Sequence, residues 1–149
     1  MANNLPVFDQ TILASVGKAE ADIEGSLDCQ LMYFYGEIRS GKLTLFRNFV
    51  ENRVGCPHAN SKTLAICLTT PGGEVEPVEN MVDIVRHHYD TIYFIVPSAA
   101  YSAGTIFCMS GDKIYRDYSS SLGPIDPQVP DKENKYLVPA PGYLDKVAE

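Results

Sequence analysis

The chain has 149 residues, 45% of them hydrophobic and 21% charged, which suits one globular domain with a real core. A formal net charge of −7, with no cluster of Lys or Arg larger than two, argues against a nucleic-acid surface. With no basic-then-apolar leader and no apolar run of membrane-span length, a soluble, cytoplasmic protein is expected.

Asp9 to Glu20 reads as a short helix capped by Asp9, with Ile12, Leu13 and Val16 on one side and a polar joint ending at Gly25-Ser26. Residues 1–25 are thus expected to be a helical extension, and 26–149 the main domain. Gln30 to Ile38 accumulates aromatic and aliphatic residues as a first core strand, closed by Ser40-Gly41. Lys42 to Asn52 carries Leu43, Phe46 and Val50 at helical spacing, with Leu45 and Phe49 beside them, and Gly55 is placed to end this crossover helix.

Thr63 to Thr70 is a second buried strand that stops at Pro71-Gly72-Gly73, where glycines let the backbone turn with positive φ and expose its N–H groups. Glu76 to His88 follows as an amphipathic helix with Val78, Met81, Val82 and Val85 on one face. Ile92 to Val96 is a short apolar strand of the kind buried on both faces of a parallel sheet. The small residues Ser98, Ala99, Ala100, Ser102, Ala103 and Gly104 then lead into a helix through Ile106, Phe107 and Met109. Ser102 falls in the first turn of that helix, beside N–H groups with no helical partner. The βαβ order places both the glycine turn and Ser102 at the carboxyl edge of one parallel sheet, where open α/β folds put their sites.

Lys113 to Tyr118 is read as a further strand, Ser119 to Pro127 as a loop rich in turn formers, and Asp131 to Tyr136 as a hairpin tip or flexible lobe. Tyr143 to Lys146 looks like the opening of a helix that the sequence does not finish. Cys29, Cys56, Cys67 and Cys108 form no C-x-x-C pair and are expected to be reduced, mostly buried thiols.

The ordered set Pro71-Gly72-Gly73, Tyr101-Ser102-Ala103-Gly104, Gly111-Asp112-Lys113-Ile114-Tyr115 and Leu122-Gly123-Pro124-Ile125-Asp126-Pro127-Gln128 resembles the Clp-protease/crotonase superfamily. Within it the match, from about Gln30 to the C-terminus, is closest to the serine dehydrogenase proteinase family, relatives of the Clp proteolytic subunit and of signal peptide peptidase A. The resemblance implies an α/β fold: a β-α-β spiral with a mainly parallel sheet and crossover helices. It also implies an oligomeric peptidase with Ser102 as nucleophile and N–H groups near Gly73 in the oxyanion hole. An unfoldase is a possible partner, and no metal or cofactor is expected.

Serine peptide hydrolysis needs a held nucleophile, donors aimed at the developing oxyanion, and a base. Ser102 supplies the first, and the N–H groups of Gly73 and Ala103 the second. In the Clp proteolytic subunit the base is a histidine soon after the nucleophile helix, but no histidine follows His88 here. His58 lies in a loop and His87-His88 close a helix, so a Ser-His-Asp triad is disfavoured. A serine-lysine dyad is the superfamily's other solution, and Lys146 is the candidate, ahead of Lys132 and Lys135 in a charged loop. A solvated lysine near a chain end is the plainer reading of Lys146.

Other residues carry two readings. Gly72 and Tyr101 line the substrate groove, although Tyr101 could equally just pack. Asp126 orients a base or a subunit contact, or is a turn former between Ile125 and Pro127. Cys108, on the Ser102 helix, is core. Two further functions stay open beside a serine peptidase acting on peptides or unfolded protein: a catalytically inactive Clp-like assembly module, and a crotonase-type acyl-CoA enzyme, which would need a basic phosphate-binding patch. A homo-oligomer is expected, because a last helix left unfinished would leave apolar surface uncovered.

Overall fold

The computed structural model describes residues 6–54, 62–126 and the backbones of 128–130 and 137–139. Four strands form its main sheet: β1 (Gln30–Tyr35), β2 (Thr63–Thr69), β3 (Thr91–Val96) and β5 (Lys113–Arg116). They lie in the order β1-β2-β3-β5 and every pair is parallel. Three of the helices, α2 (Leu43–Val54), α3 (Glu76–His88) and α4 (Ala103–Met109), connect successive strands. A mainly parallel sheet with crossover helices is therefore the architecture, as the sequence reading expected.

One face of the sheet carries the core. Ile92, Phe94 and Val96 of β3 meet Leu64, Ile66 and Leu68 of β2 there, covered by Phe46 and Val50 from α2, Val78, Met81 and Val85 from α3, and Phe107 from α4. The rings of Phe34, Phe46, Phe107 and Phe94 form an edge-to-face chain through it, with centroid separations of 4.8 to 6.1 Å. The other face is only half covered: Tyr93 and Ile95 pack with Ala65 and Leu31 under the last turns of α1 (Val7–Leu27), through Ile23 and Leu27. β3 thus alternates between buried and half-buried residues rather than being sealed on both sides.

Beyond each main strand the chain takes one more short extended step, and these steps form a second row in the same order. Ile38 bridges to Gly73, Thr70 bridges to Ala100, and β4 (Ala99–Ala100) pairs in parallel with β6 (Ser121–Leu122). Strand, short step and helix repeat down the chain, which makes a spiral. Ile38 and Thr70 fall at the ends of expected strands, whereas Ala99–Ala100 and Ser121–Leu122 fall in stretches expected to be turns or loop, because two residues carry no visible alternation.

Several boundaries differ from expectation. α1 starts after Pro6, with Asp9 inside its first turn, and it runs past Glu20 through Gly25 and Ser26. The first strand ends at Tyr35, because Gly36 turns with φ 123°, and a 3₁₀ turn over Ser40–Lys42 precedes α2. Leu45 and Phe49 face outward while Phe46 and Val50 are buried. The strand expected to reach Tyr118 ends at Arg116, where Asp117 accepts from the Ser119 and Ser120 amides and bends the chain. β7 (Gln128–Pro130) and β8 (Leu137–Pro139) pair antiparallel on either side of 131–136. Gly55, Cys56, His58, Lys132, Lys135, Tyr143 and Lys146 lie outside the described residues.

Candidate active site

Thr70 is the pivot from which the site is built. It is buried, donates its N–H to the Ala99 carbonyl (2.9 Å) and accepts the Tyr101 N–H (3.1 Å), so the end of β2 and the stretch before α4 are stitched together. Its Oγ1 accepts the Gly72 N–H at 3.0 Å and so starts the glycine turn. Its methyl group lies where a side chain at Gly104 would be, so only glycine lets α4 begin this close to the strand.

Ser102 stands just before α4 with φ 51° and ψ −120°, a conformation that non-glycine residues avoid. Its hydroxyl does not cap the helix and meets no hydrogen-bond partner among the described residues. The backbone there is held instead by Tyr101 and Ser102 carbonyls, which accept the N–H groups of Gly104 (2.8 Å) and Thr105 (2.9 Å). Thr105 in turn donates its hydroxyl to the Ala100 carbonyl at 2.7 Å, fixing the short strand that delivers Ser102. A sharp, strained strand-to-helix turn presenting a free hydroxyl is the geometry used by nucleophile elbows.

The glycine turn lies directly against this point. Gly72 has φ 97°, and a Cβ on it would sit 2.8 Å from the Ser102 Cβ and 2.6 Å from the Tyr101 carbonyl oxygen. Gly73 has φ 139°, and a Cβ there would overlap the Ile38 carbonyl oxygen. The Gly72 carbonyl accepts the Ile38 N–H (2.9 Å) and the Glu74 N–H donates to the Ile38 carbonyl (3.0 Å). Backbone groups alternate in direction along extended chain, so the Gly73 N–H points away from Ile38. Neither it nor the Ala103 N–H donates to an acceptor among the described residues. A cleft of about 290 Å³ opens beside the turn, lined by Glu37, Ile38, Arg39 and residues 71–74.

Gly72, Tyr101 and Ser102 therefore meet, with Gly73 and Ala103 as their chain neighbours. The Tyr101 ring is 41% exposed and lies over Gly123, where any side chain would overlap it, so it packs on the loop after β6 and still borders the site. Asp126 is exposed further along that loop, with no hydrogen bond or ion pair to Ser102 among the described residues. His87 and His88 end α3, which starts beside the glycine turn, so they stand roughly 18 Å away along the helix. Cys108 is buried in the core, its thiol pushed up to about 12 by that burial, which keeps it protonated and inert. Gly104 and Gly123 stand in the sequence motifs without an assigned role, and Thr70 carries no signal beyond ending a strand.

The model of the ClpP-like SDH-type serine proteinases matches residues 54–147. The chain belongs to that family. An uncharacterized protein of Methanocaldococcus jannaschii is 33% identical over 88 residues, which are 59% of this chain and 29% of that protein. The 1510-N membrane-bound stomatin-specific protease, as a serine-to-alanine mutant, shares the fold with a TM-score of 0.61 at 21% identity, over 79% of this chain and 57% of its own. A lysine-to-alanine mutant of it in complex with a substrate peptide gives 0.60 at 22% identity, over 79% and 54%. This chain thus spans less than a third of the curated relative and little more than half of the solved structures. Among the described residues, no helix is long and apolar enough to cross a membrane.

Proposed function

We propose that the protein is a serine peptidase acting on peptides or unfolded protein, with Ser102 as nucleophile and the Gly73 and Ala103 amides as oxyanion donors. One observation carries the reading: the Cβ of Ser102, a residue held at positive φ, packs against the Gly72 turn, and among the described residues neither the Ser102 hydroxyl nor the Gly73 amide has a hydrogen-bond partner. In the proposed reaction the Ser102 Oγ attacks the scissile carbonyl carbon as its proton passes to a neutral base. The carbonyl oxygen, now an anion, rests on the two amides. Collapse breaks the C–N bond, the base returns the proton to the leaving amine, and water hydrolyses the acyl-serine by the same steps.

Lys146 is the proposed base, since a lysine desolvated in a closed site loses affinity for its proton. Two findings support a lysine in this role: the family match extends through Lys146, and a structurally similar protease holds a substrate peptide as a lysine-to-alanine mutant. Gly72 and Tyr101 border the proposed substrate groove, and Asp126 is assigned to its outer end. We further propose a cytoplasmic location and, supported by the apolar side chains that α1 and α2 leave exposed, a homo-oligomeric working state.

The decisive test is active-site labelling. A fluorophosphonate should modify the parent chain at Ser102, and Ser102→Ala should fold alike yet remain unmodified and fail to cleave casein. A folded, stable oligomer that neither labels nor cleaves would instead identify an inactive assembly module.

A further inference from the structure

A side chain the peptidase reading does not use stands immediately after the glycine turn. Glu74 reaches back to the start of the 3₁₀ turn, where one carboxylate oxygen accepts the Ser40 N–H at 2.8 Å and also the Ser40 hydroxyl. Its own N–H donates to the Ile38 carbonyl at 3.0 Å, while the Ile38 N–H donates to the Gly72 carbonyl at 2.9 Å. Gly73 is therefore bracketed on both sides by links to residues 38–40, and it has no side chain of its own to hold it. Arg39 is bound to Glu37 at 2.5 Å and acts on Glu74 less than Ser40 does, so the Glu74 carboxylate is held chiefly by the two neutral Ser40 donors.

We propose that Glu74 is a positioning residue that fixes the direction of the Gly73 amide by clamping the turn to Ser40. The proposal rests on the reading of that amide as an oxyanion donor. Glycines with positive φ rotate readily, and such a donor is worth most when it is fixed before charge develops. A misdirected donor weakens transition-state binding more than substrate binding, so the clamp acts on kcat rather than KM. The side chain is exposed, so its loss leaves the buried core untouched.

The test compares the parent chain with Glu74→Ala, Glu74→Gln, Ser40→Ala and Ser102→Ala. The readouts are the rate of fluorophosphonate labelling, kcat and KM on a fluorogenic peptide, and thermal melting. Glu74→Ala is expected to slow labelling and kcat by about tenfold with KM unchanged. Glu74→Gln keeps an oxygen that accepts from Ser40 and should recover part of the rate, and Ser40→Ala should lose about threefold. Should Glu74→Ala fail to fold, the Gln and Ser40 variants carry the same comparison. A labelled parent with Glu74 variants at the parent rate overturns the clamp and leaves Ser102 standing. A rise in KM alone also overturns it, and a folded parent that never labels removes the oxyanion reading and the clamp together.

Discussion

At the scale of single residues the site is defined by where side chains cannot be. Gly72 is the sharpest case, because a methyl group there meets the Ser102 Cβ and the Tyr101 carbonyl at once and the backbone is at φ 97°. Gly72→Ala is expected to cut fluorophosphonate labelling at least a hundredfold and to lower stability by about 2 kcal/mol, read by labelling rate and urea melts. Of the candidate residues, Ser102 and the glycine pair stand out in the sequence because small residues after an apolar strand leave a visible interruption. Thr70 does not, since a threonine ending a strand looks like any other. The proposed base, Lys146, is harder still to single out, since its neighbours in sequence carry no mark of such a role.

At the scale of elements, the turn joining α4 to β5 is tied to its surroundings by one ionic knot. Asp112 accepts from Arg86 at 2.8 Å and from the Ile92 N–H at 2.7 Å, and Arg86 also donates to the Ser110 carbonyl at 2.8 Å. The end of α3, the start of β3 and the end of α4 are thereby fixed together. The Arg86 hydrogen bond, then the Ile92 amide, hold the Asp112 carboxyl below its ordinary range. A carboxylate with a lowered folded-state pKa stabilises above its unfolded value near ~4 and loses that contribution as pH falls through the folded value. Asp112→Asn should therefore melt below the parent at pH 7, by no more than about 1 kcal/mol because solvent screens so exposed a carboxylate, and the gap should narrow as pH falls below about 4.

Element reading succeeded where length and period agreed. β2, α3 and β3 are long enough to show an apolar run or a full helical face, and α3 matches residue for residue, from Glu76 to His88. α1 is longer than its sequence suggests, because Asp9 resembles a cap and Gly25-Ser26 a stop, yet both lie inside the helix. Neither Gly17 nor Gly25 meets a neighbour, so neither interrupts a helix whose packing is confined to Ile23 and Leu27 in its last turns.

For the whole molecule, the uneven covering of the sheet is the dominant feature. The N-terminal half of α1 holds Phe8 73% and Leu13 57% exposed, and on α2 both Leu45 and Phe49 are 57% exposed. Burial of such side chains against another copy would remove apolar area worth roughly 25 cal/mol per Å². Light scattering at micromolar concentration should give a multiple of 16.4 kDa, and Phe8→Glu with Leu13→Glu should lower that mass if α1 lies at the contact. A parent that stays monomeric would overturn the proposed assembly.

The backbone of Ser102 carries one more consequence. Replacing alanine by glycine ordinarily loosens a folded chain by about 0.5–1 kcal/mol. At φ 51° the order should invert, with Ser102→Gly melting above Ser102→Ala, since only glycine relaxes there. Two proteins with no hydroxyl at all would then reveal, through heat alone, a bent spring in the main chain that holds the natural one forward.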